Sequence, residues 1–243
     1  MTINIPRATL IVLNKYAAFG RLVHGLIHNL NGPLHNLGMD IEMMQLSLAG
    51  NTELDIREVE KIAKRLERMG IEFDHVAQMV RTTSMRLNPD ETFDSFTSVK
   101  HFLEQELDFL NANLYFKHHV QTHLDLDEKL PGVTTLPEGI TLSLGWFLQA
   151  VVEELEARKI EILGLKADAK SSSVKLDVTA KGRPLSDGFM EDLMCDPDSS
   201  QVVREEKNIG IRLAAGVMRS LGVDITGKNS ADQSIIRLTI PFN

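Results

Sequence analysis

Residues 28–34 read HNLNGPL, a run in which a histidine precedes a proline by five positions inside an apolar repeat. The repeat extends to both sides in steps of three and four residues, which is the period of a helical-bundle seam. Its members are Phe19, Val23, Leu26, Leu30, Pro33, Leu37, Ile41, Met44 and Leu48. The pattern predicts one long helix that bends at Pro33, because proline removes a backbone hydrogen bond from a helix interior.

A second helix with the same period is predicted after the segment LAGNTELD, residues 48–55. Gly50 is a typical helix stop, and Asn51 or Thr52 is a typical N-cap. The second seam comprises Val59, Ile62, Leu66, Met69, Phe73, Val76 and Val80. A hairpin of two such helices cannot cover its own seam, so we predict a homodimer that forms a four-helix bundle. The alternative is that the hairpin packs on the C-terminal half of the same chain.

The segment LNPDETFD, residues 87–94, breaks the helical pattern and predicts a domain boundary. The expected domains are a helical hairpin over residues 1–88 and a mixed α and β domain over residues 89–243. In the second domain, helices are predicted at 95–112, 139–164 and 209–221, and four strands within 116–127, 172–182, 223–228 and 234–242. The predicted fold class is therefore α+β, a hairpin followed by a two-layer α/β sandwich.

Composition excludes several classes of protein. The 243 residues carry 26 basic and 34 acidic side chains, a net charge of −8, and show no obvious basic cluster, which is atypical of nucleic-acid binders. The single Cys195 excludes an internal disulfide framework and fits a reducing compartment. No apolar run is long enough for a signal peptide or a membrane span. We therefore expect a cytoplasmic protein that binds neither nucleic acid nor membranes.

The histidine in the opening run lies off the predicted seam. His24, His28, Asn31 and His35 recur in steps of four, three and four, which places them on one polar stripe of the helix. An exposed neutral imidazole is a competent nucleophile near neutral pH. The pairs His24 with His28 and His119 with His123 have metal-ligand spacing, but no acidic residue or cysteine completes either pair locally, so no metal site is predicted. On residue type alone, His28 is one candidate among eight histidines.

The run HNLNGPL resembles the phosphotransfer motif of the histidine-kinase superfamily of two-component signalling, H-[ED]-x-x-x-P-L. His28, Pro33 and Leu34 stand at the matching places, and LGMDIEMM at 37–44 is similar to the usual continuation. Later segments resemble the ATPase-type domain of that family, so the likeness covers residues 15–241. These segments are FDSFTSVKHFLEQEL, VQTHLDLDEKLPGV, LSLGWFLQAVVEELEAR, IGIRLAAGVMRSLGVDI and IIRLTIPF. The resemblance implies a dimeric hairpin whose phosphoacceptor is His28, followed by an ATPase-like domain.

Several nucleotide-site positions depart from the family pattern. Glu153 stands where the family has an Mg²⁺-binding asparagine, and Ala180 stands where it has the aspartate that contacts adenine. Gly182 remains in the first glycine box, and Gly210 is the surviving glycine of the second. Such glycines let backbone amides approach phosphate oxygens, and a cation such as Arg212 attracts an anion without restoring that approach. Neither ATP nor Mg²⁺ is therefore expected as a cofactor.

The phosphotransfer motif departs as well. Asn29 replaces the acidic residue that takes a proton during attack on ATP, and an amide is not a base at neutral pH. Gly32 replaces the Thr or Asn of the family's phosphatase pattern. The expected function is a histidine phosphotransferase that exchanges phosphate with the aspartate of a response-regulator receiver domain. A divergent ATP-dependent histidine kinase and a non-catalytic pseudokinase that binds a receiver or a true kinase remain alternatives.

Overall fold

The computed structural model describes residues 7–50, 56–87, 98–137, 139–195 and 209–242. The helices in these ranges are α1 (Arg7–Gly50), α2 (Ile56–Leu87), α3 (Val99–Leu110), α4 (Leu114–His119), α5 (Ile140–Arg158), α6 (Asp187–Met194) and α7 (Ile209–Ser220). The strands are β1 (Gln121–Leu126), β2 (Ile162–Ala169), β3 (Ser173–Lys181), β4 (Asp224–Asn229) and β5 (Gln233–Pro241).

The chain divides into two compact units. One is formed by residues 23–89, and the other by residues 1–22 together with 90–243. The predicted boundary between residues 88 and 89 falls in the segment 88–97, outside the described residues, as do the predicted N-caps Asn51 and Thr52. None of the described helices is long and apolar enough to cross a membrane.

The unit of residues 23–89 is an antiparallel hairpin. Asn36 donates to Glu72 at 3.0 Å and Asp40 pairs with Arg68, so partner numbers fall along α2 as they rise along α1. α1 continues through Pro33, which is buried, and it ends at Gly50 as predicted. The predicted seam residues of this unit that are buried or half-buried are Val23, Leu26, Leu30, Pro33, Leu37 and Met44 on α1 and Ile62, Met69 and Val76 on α2.

The six exposed residues of the predicted seam and two further exposed apolar residues, Ile27 and Leu34, form a second apolar set, the heptad stripes. These are Ile27, Leu34, Ile41 and Leu48 on α1 and Val59, Leu66, Phe73 and Val80 on α2. Members are seven residues apart, which is about two helical turns, so each set is a stripe. On both helices each stripe residue comes one position after a residue that faces the other helix: Leu34 comes after Pro33, and Leu66 comes after Arg65. The stripe is therefore rotated by about 100° from the inward side of each helix. The helices run in opposite directions, so the same rotation about each helix axis brings the two stripes to the same side of the hairpin.

The second unit is built on a five-stranded sheet of order β1-β2-β3-β5-β4. β1 and β2 are parallel, and the other neighbours are antiparallel. The prediction of four strands is therefore wrong by one, since β2 includes residues that were expected to extend a helix to 164. The strand expected from residue 116 starts at Gln121, because residues 114–119 form α4 behind an Asn113 N-cap. The short helix α6 was not predicted.

The sheet has one buried face and one polar face. The buried side chains on its inner face include Leu163, Leu165, Leu176, Val178, Ile236 and Leu238. They pack with apolar residues of α3, α5 and α7, among them Leu103, Leu110, Phe147, Leu148, Ile211 and Met218. The outer face carries the paired row Asp125, Lys166, Asp177 and Arg237. The predicted α+β class is confirmed, with an N-terminal helical hairpin and a C-terminal two-layer sandwich.

Candidate functional site

His28 lies on an exposed side of α1 in the hairpin unit. His24, Asn31 and His35 of the same stripe are exposed as well. Within the described part of the chain, the His28 imidazole makes no hydrogen bond and no ion pair. Pro33 lies five residues later on the inward side. The ring is therefore accessible to a macromolecular partner.

The neighbouring Asn29 is half-buried on α1. Its amide cannot take up a proton at neutral pH, so it cannot assist His28 as a general base. Gly32, one turn further along, is exposed, and a Cβ added there would meet nothing within 4 Å. The surroundings of His28 therefore leave room for groups supplied by another molecule.

A buried carboxylate joins the two helices of the hairpin. Asp40 is 3% exposed and accepts a hydrogen bond at its Oδ2 from Nε of Arg68 at 2.7 Å. A second, short hydrogen bond joins Arg68 to Oδ1, and a guanidinium nitrogen of Arg65 lies 3.5 Å from the same oxygen. The hydrogen bond from Arg68 lowers the pKa of Asp40. Sequence reasoning missed this pair, although a charged residue seven positions after Pro33, at an inward point of the seam, was a usable signal.

The Glu153 carboxylate in α5 is held by two donors of its own unit. Nε of Arg21 donates to its Oε1 at 2.6 Å, and Nε2 of Gln149 donates to the same oxygen at 3.1 Å. The Glu153 side chain is 28% exposed. The position that the resemblance assigns to a metal ligand is therefore occupied by a carboxylate that already has a cationic partner.

Gly182 follows β3 with a φ of +92°, a conformation that glycine adopts without strain. A Cβ built on it would meet nothing within 4 Å, so the backbone conformation, and not a close approach, requires glycine here. Its N–H donates to the carbonyl of Asp232 at 2.8 Å. Ala180, two residues earlier, is buried, and its methyl group cannot accept a hydrogen bond from an adenine amino group.

Gly210 is the second residue of α7 and is half-buried. Arg212, one half-turn further, ion-pairs with Asp192 at 3.6 Å and donates to Sγ of Cys195 at 3.3 Å. The Arg212 guanidinium therefore links α7 to the end of α6, and these contacts already occupy it in place of a bound anion.

The three positions that the resemblance places in a nucleotide site are Glu153, Gly182 and Gly210, and they lie on elements that pack together within one unit. α5 packs against α7, and the loop after β3 is tied to α5 because the Ser186 N–H donates to Glu154 at 2.8 Å. No group of three or more histidine, cysteine, aspartate or glutamate side chains within the described ranges could hold a metal ion.

Comparison with known proteins gives structural neighbours only. No family model matches the chain, and no curated protein matches it. The histidine kinase AdeS of Acinetobacter baumannii is 15% identical with a TM-score of 0.43, covering 89% of this chain and 98% of its own. The blue-light activated histidine kinase EL346 of Erythrobacter litoralis is 13% identical with a TM-score of 0.46. The match covers 89% of this chain and 60% of the EL346 chain. A structure titled as a bacterial phosphotransferase is 10% identical with a TM-score of 0.43, covering 98% of each chain. Solved structures to which this chain is similar therefore include two histidine kinases and a phosphotransferase.

Proposed function

We propose that this protein is a histidine phosphotransferase of two-component signalling. In this proposal His28 exchanges a phosphoryl group with the aspartate of a response-regulator receiver domain. The observation that carries it is the exposed imidazole of His28, which makes no hydrogen bond or ion pair in the described residues. Its place on α1, five residues before the buried Pro33, supports the role that the motif resemblance gives it.

The proposed transfer requires no catalytic group from the side chains next to His28. A ring nitrogen of His28 attacks the phosphorus of an aspartyl phosphate, the bond from phosphorus to the carboxylate oxygen breaks, and the carboxylate leaves with the electron pair. An acyl phosphate is already activated, and the receiver supplies the groups that stabilise the moving phosphoryl. No general base is needed beside the histidine, which fits an asparagine at position 29.

The homodimer is part of the proposal. The heptad stripes put eight exposed apolar side chains on one side of the hairpin, from Ile27 to Leu48 on α1 and from Val59 to Val80 on α2. Exposed apolar rows at heptad spacing are typical of surfaces that pack in a helical bundle. A second copy offers the same rows, so the two hairpins complete a four-helix bundle around a twofold axis.

The remnant nucleotide site supports a function without ATP. Glu153 pairs with Arg21, Ala180 offers no acceptor, and Arg212 pairs with Asp192. These residues do not fit the contacts that the resemblance would require for Mg²⁺, adenine and phosphate. The proposed role of this unit is to support the hairpin and its partner, and not to supply phosphate.

The test uses receiver domains encoded in the same genome, each phosphorylated with labelled acetyl phosphate and mixed with the purified chain. We expect label to move from at least one receiver to the wild type and not to His28→Ala. His24→Ala and His35→Ala are matched controls, because both histidines are exposed on the same stripe, and both variants should accept label normally.

Two further arms separate the alternatives. Label from ATP and Mg²⁺ that depends on His28 would identify a divergent kinase and overturn the proposal. A receiver that binds the wild type and His28→Ala equally, with no transfer to either, would identify a non-catalytic binding module.

A further inference from the structure

One end of the sheet in the second unit gathers cations from three distant segments of the chain. The pairing register aligns Gln121 of β1 with Ile162 of β2, and Ile162 with Lys181 of β3. The residues just before β1, just before β2 and at the end of β3 therefore lie at the same end of the sheet. We call the lysine, arginine and histidine residues there the basic corner: Lys117, His118, His119, Arg158, Lys159, Lys181 and Arg183.

The basic corner is exposed and has a net positive charge in a chain whose total is −8. All of its members are exposed except Arg158, which is half-buried. The Nε atom of Arg158 is buried and has no hydrogen-bond partner. The acidic residues around the corner are Glu156, Glu161 and Asp232, whose carbonyl accepts a hydrogen bond from the Gly182 N–H. They face five lysine and arginine side chains of the corner. Positive charge therefore predominates on this surface.

Contacts within the corner hold three of its side chains, those of His119, Lys159 and Arg183. The Tyr115 and His119 rings stack with centroids 5.1 Å apart, and Nζ of Lys159 lies 4.7 Å from the centre of the Tyr115 ring. The Arg183 guanidinium donates to the carbonyl of Arg158 at 3.0 Å. A partner that pairs with these cations would immobilise few additional side chains, and that reduces the entropic cost of binding.

Lys159 is held in an unusual backbone conformation. It follows the last residue of α5 with a φ of +55°, and it is the one non-glycine residue with positive φ in the described ranges. Glycine takes this conformation without the steric conflict that a Cβ creates. A lysine here therefore adds a cation and a contact with Tyr115 at a position where glycine would be less strained.

We propose that the basic corner is a docking site for an acidic segment of a partner protein. The carboxylates of such a segment are on separate flexible side chains. Some of them can pair with Lys159, Lys181 and Arg183, and none has to lie beside Glu161. A continuous row of phosphates would place a negative charge beside that glutamate. A lipid surface would need apolar anchors, and the corner presents charged groups around a half-buried Tyr115. The proposal does not depend on His28.

The experiment measures fluorescence anisotropy of a labelled oligoglutamate peptide with the full chain at low ionic strength. We expect Lys159→Gly and Arg183→Glu each to weaken binding by about twofold to fivefold, the range of an exposed charge pair. Lys170→Glu is the matched control, because Lys170 is exposed at the opposite end of β2. The Lys170→Glu variant should bind the peptide with the affinity of the wild type. Lys159→Gly should also keep the wild-type melting temperature, which separates lost binding from lost folding.

Three results would overturn the proposal. The first is a wild type that does not bind the peptide, and the second is equal affinity for the wild type, Lys159→Gly and Arg183→Glu. The third is preferential binding of a single-stranded oligonucleotide, or of vesicles of equimolar phosphatidylserine and phosphatidylcholine, in the same assay. That outcome would assign the corner to a different class of partner.

Discussion

Asp40 on α1 and Arg68 on α2 form an ion pair in which the carboxylate is buried and the guanidinium reaches solvent. The Asp40 side chain is 4% exposed and that of Arg68 is 60% exposed. The pair links the two helices 12 residues after His28 in the sequence, and it fixes which turn of α1 faces which turn of α2. A charged residue at an inward seam position is costly unless it is paired, so such a contact favours one register over its neighbours.

Removing one partner should destabilise the hairpin more than removing both. Arg68→Met leaves the Asp40 carboxylate with only the more distant Arg65, whereas Asp40→Leu with Arg68→Met leaves no buried charge. We expect the single variant to lower the melting temperature by several degrees and the double variant to recover part of that loss. Thermal unfolding followed by helical circular dichroism makes the comparison. Equal melting temperatures for the two variants would show that the pair does not act as described.

Neighbouring isoleucines on β5 test which face of the sheet the helices cover. Ile236 is fully buried, while Ile235 is half-buried on the opposite face. Ile236→Ala should cost about 2–5 kcal/mol of unfolding free energy, because it opens a cavity in the core. Ile235→Ala should cost about 1 kcal/mol or less. Urea unfolding followed by the fluorescence of Trp146, the single tryptophan, reports on this unit. Similar losses for both variants would contradict the two-layer arrangement.

The outer face of the sheet should lose stability in acid through Asp177. Arg237 donates to its two carboxylate oxygens at 2.7 and 2.9 Å, and the pKa of Asp177 is lowered from its ordinary 3.8, chiefly by these hydrogen bonds. A lowered folded-state pKa gives stability that is present above the unfolded pKa and is lost as the pH falls through the folded one. Asp177→Asn should therefore be less stable than the wild type above about pH 5, and the difference should shrink below about pH 4. A pH-independent difference between the two unfolding curves would contradict this assignment.

The proposed dimer has a matched pair of test residues on α1. Leu34 belongs to the heptad stripes and Met39 does not, yet both side chains are 51% exposed. Leu34→Glu should convert the protein to a monomer, because it places a charge in the apolar interface, and Met39→Glu should remain dimeric. Sedimentation or light scattering measures the mass. A monomeric wild type, or a dimeric Leu34→Glu variant, would refute this interface.

The elements that the sequence could predict are those specified by local periodicity. α1 and α2 follow from apolar steps of three and four, and β3, α7, β4 and β5 follow from alternation or helical spacing bounded by turn residues. The split of the predicted seam into a buried side and the heptad stripes could not be predicted. The split depends on how each helix is rotated about its own axis when the two helices pack. The spacing of apolar residues does not determine that rotation.

Two features were missed because their signals are not local. α5 ends at Lys159 in a left-handed conformation, and without the glycine that usually marks such an end the helix was extended into β2. The cations of the basic corner come from residues 117–119, 158–159 and 181–183, and only the register of β1, β2 and β3 brings them together. The roles of His28, Asn29, Glu153, Gly182 and Gly210 remain predictions that rest on the motif and its departures.

The order of the strands also governs how this unit can be made. β5 follows the other described strands along the chain, yet it lies between β3 and β4 and pairs with both. On a ribosome, β4 therefore has no neighbour in the sheet, and β3 has only β2, until residues 233–241 have left the exit tunnel. β3 and β4 cannot be joined into one sheet before β5 has emerged, so a chain stalled shortly before residue 233 would expose unpaired strand edges to chaperones and proteases.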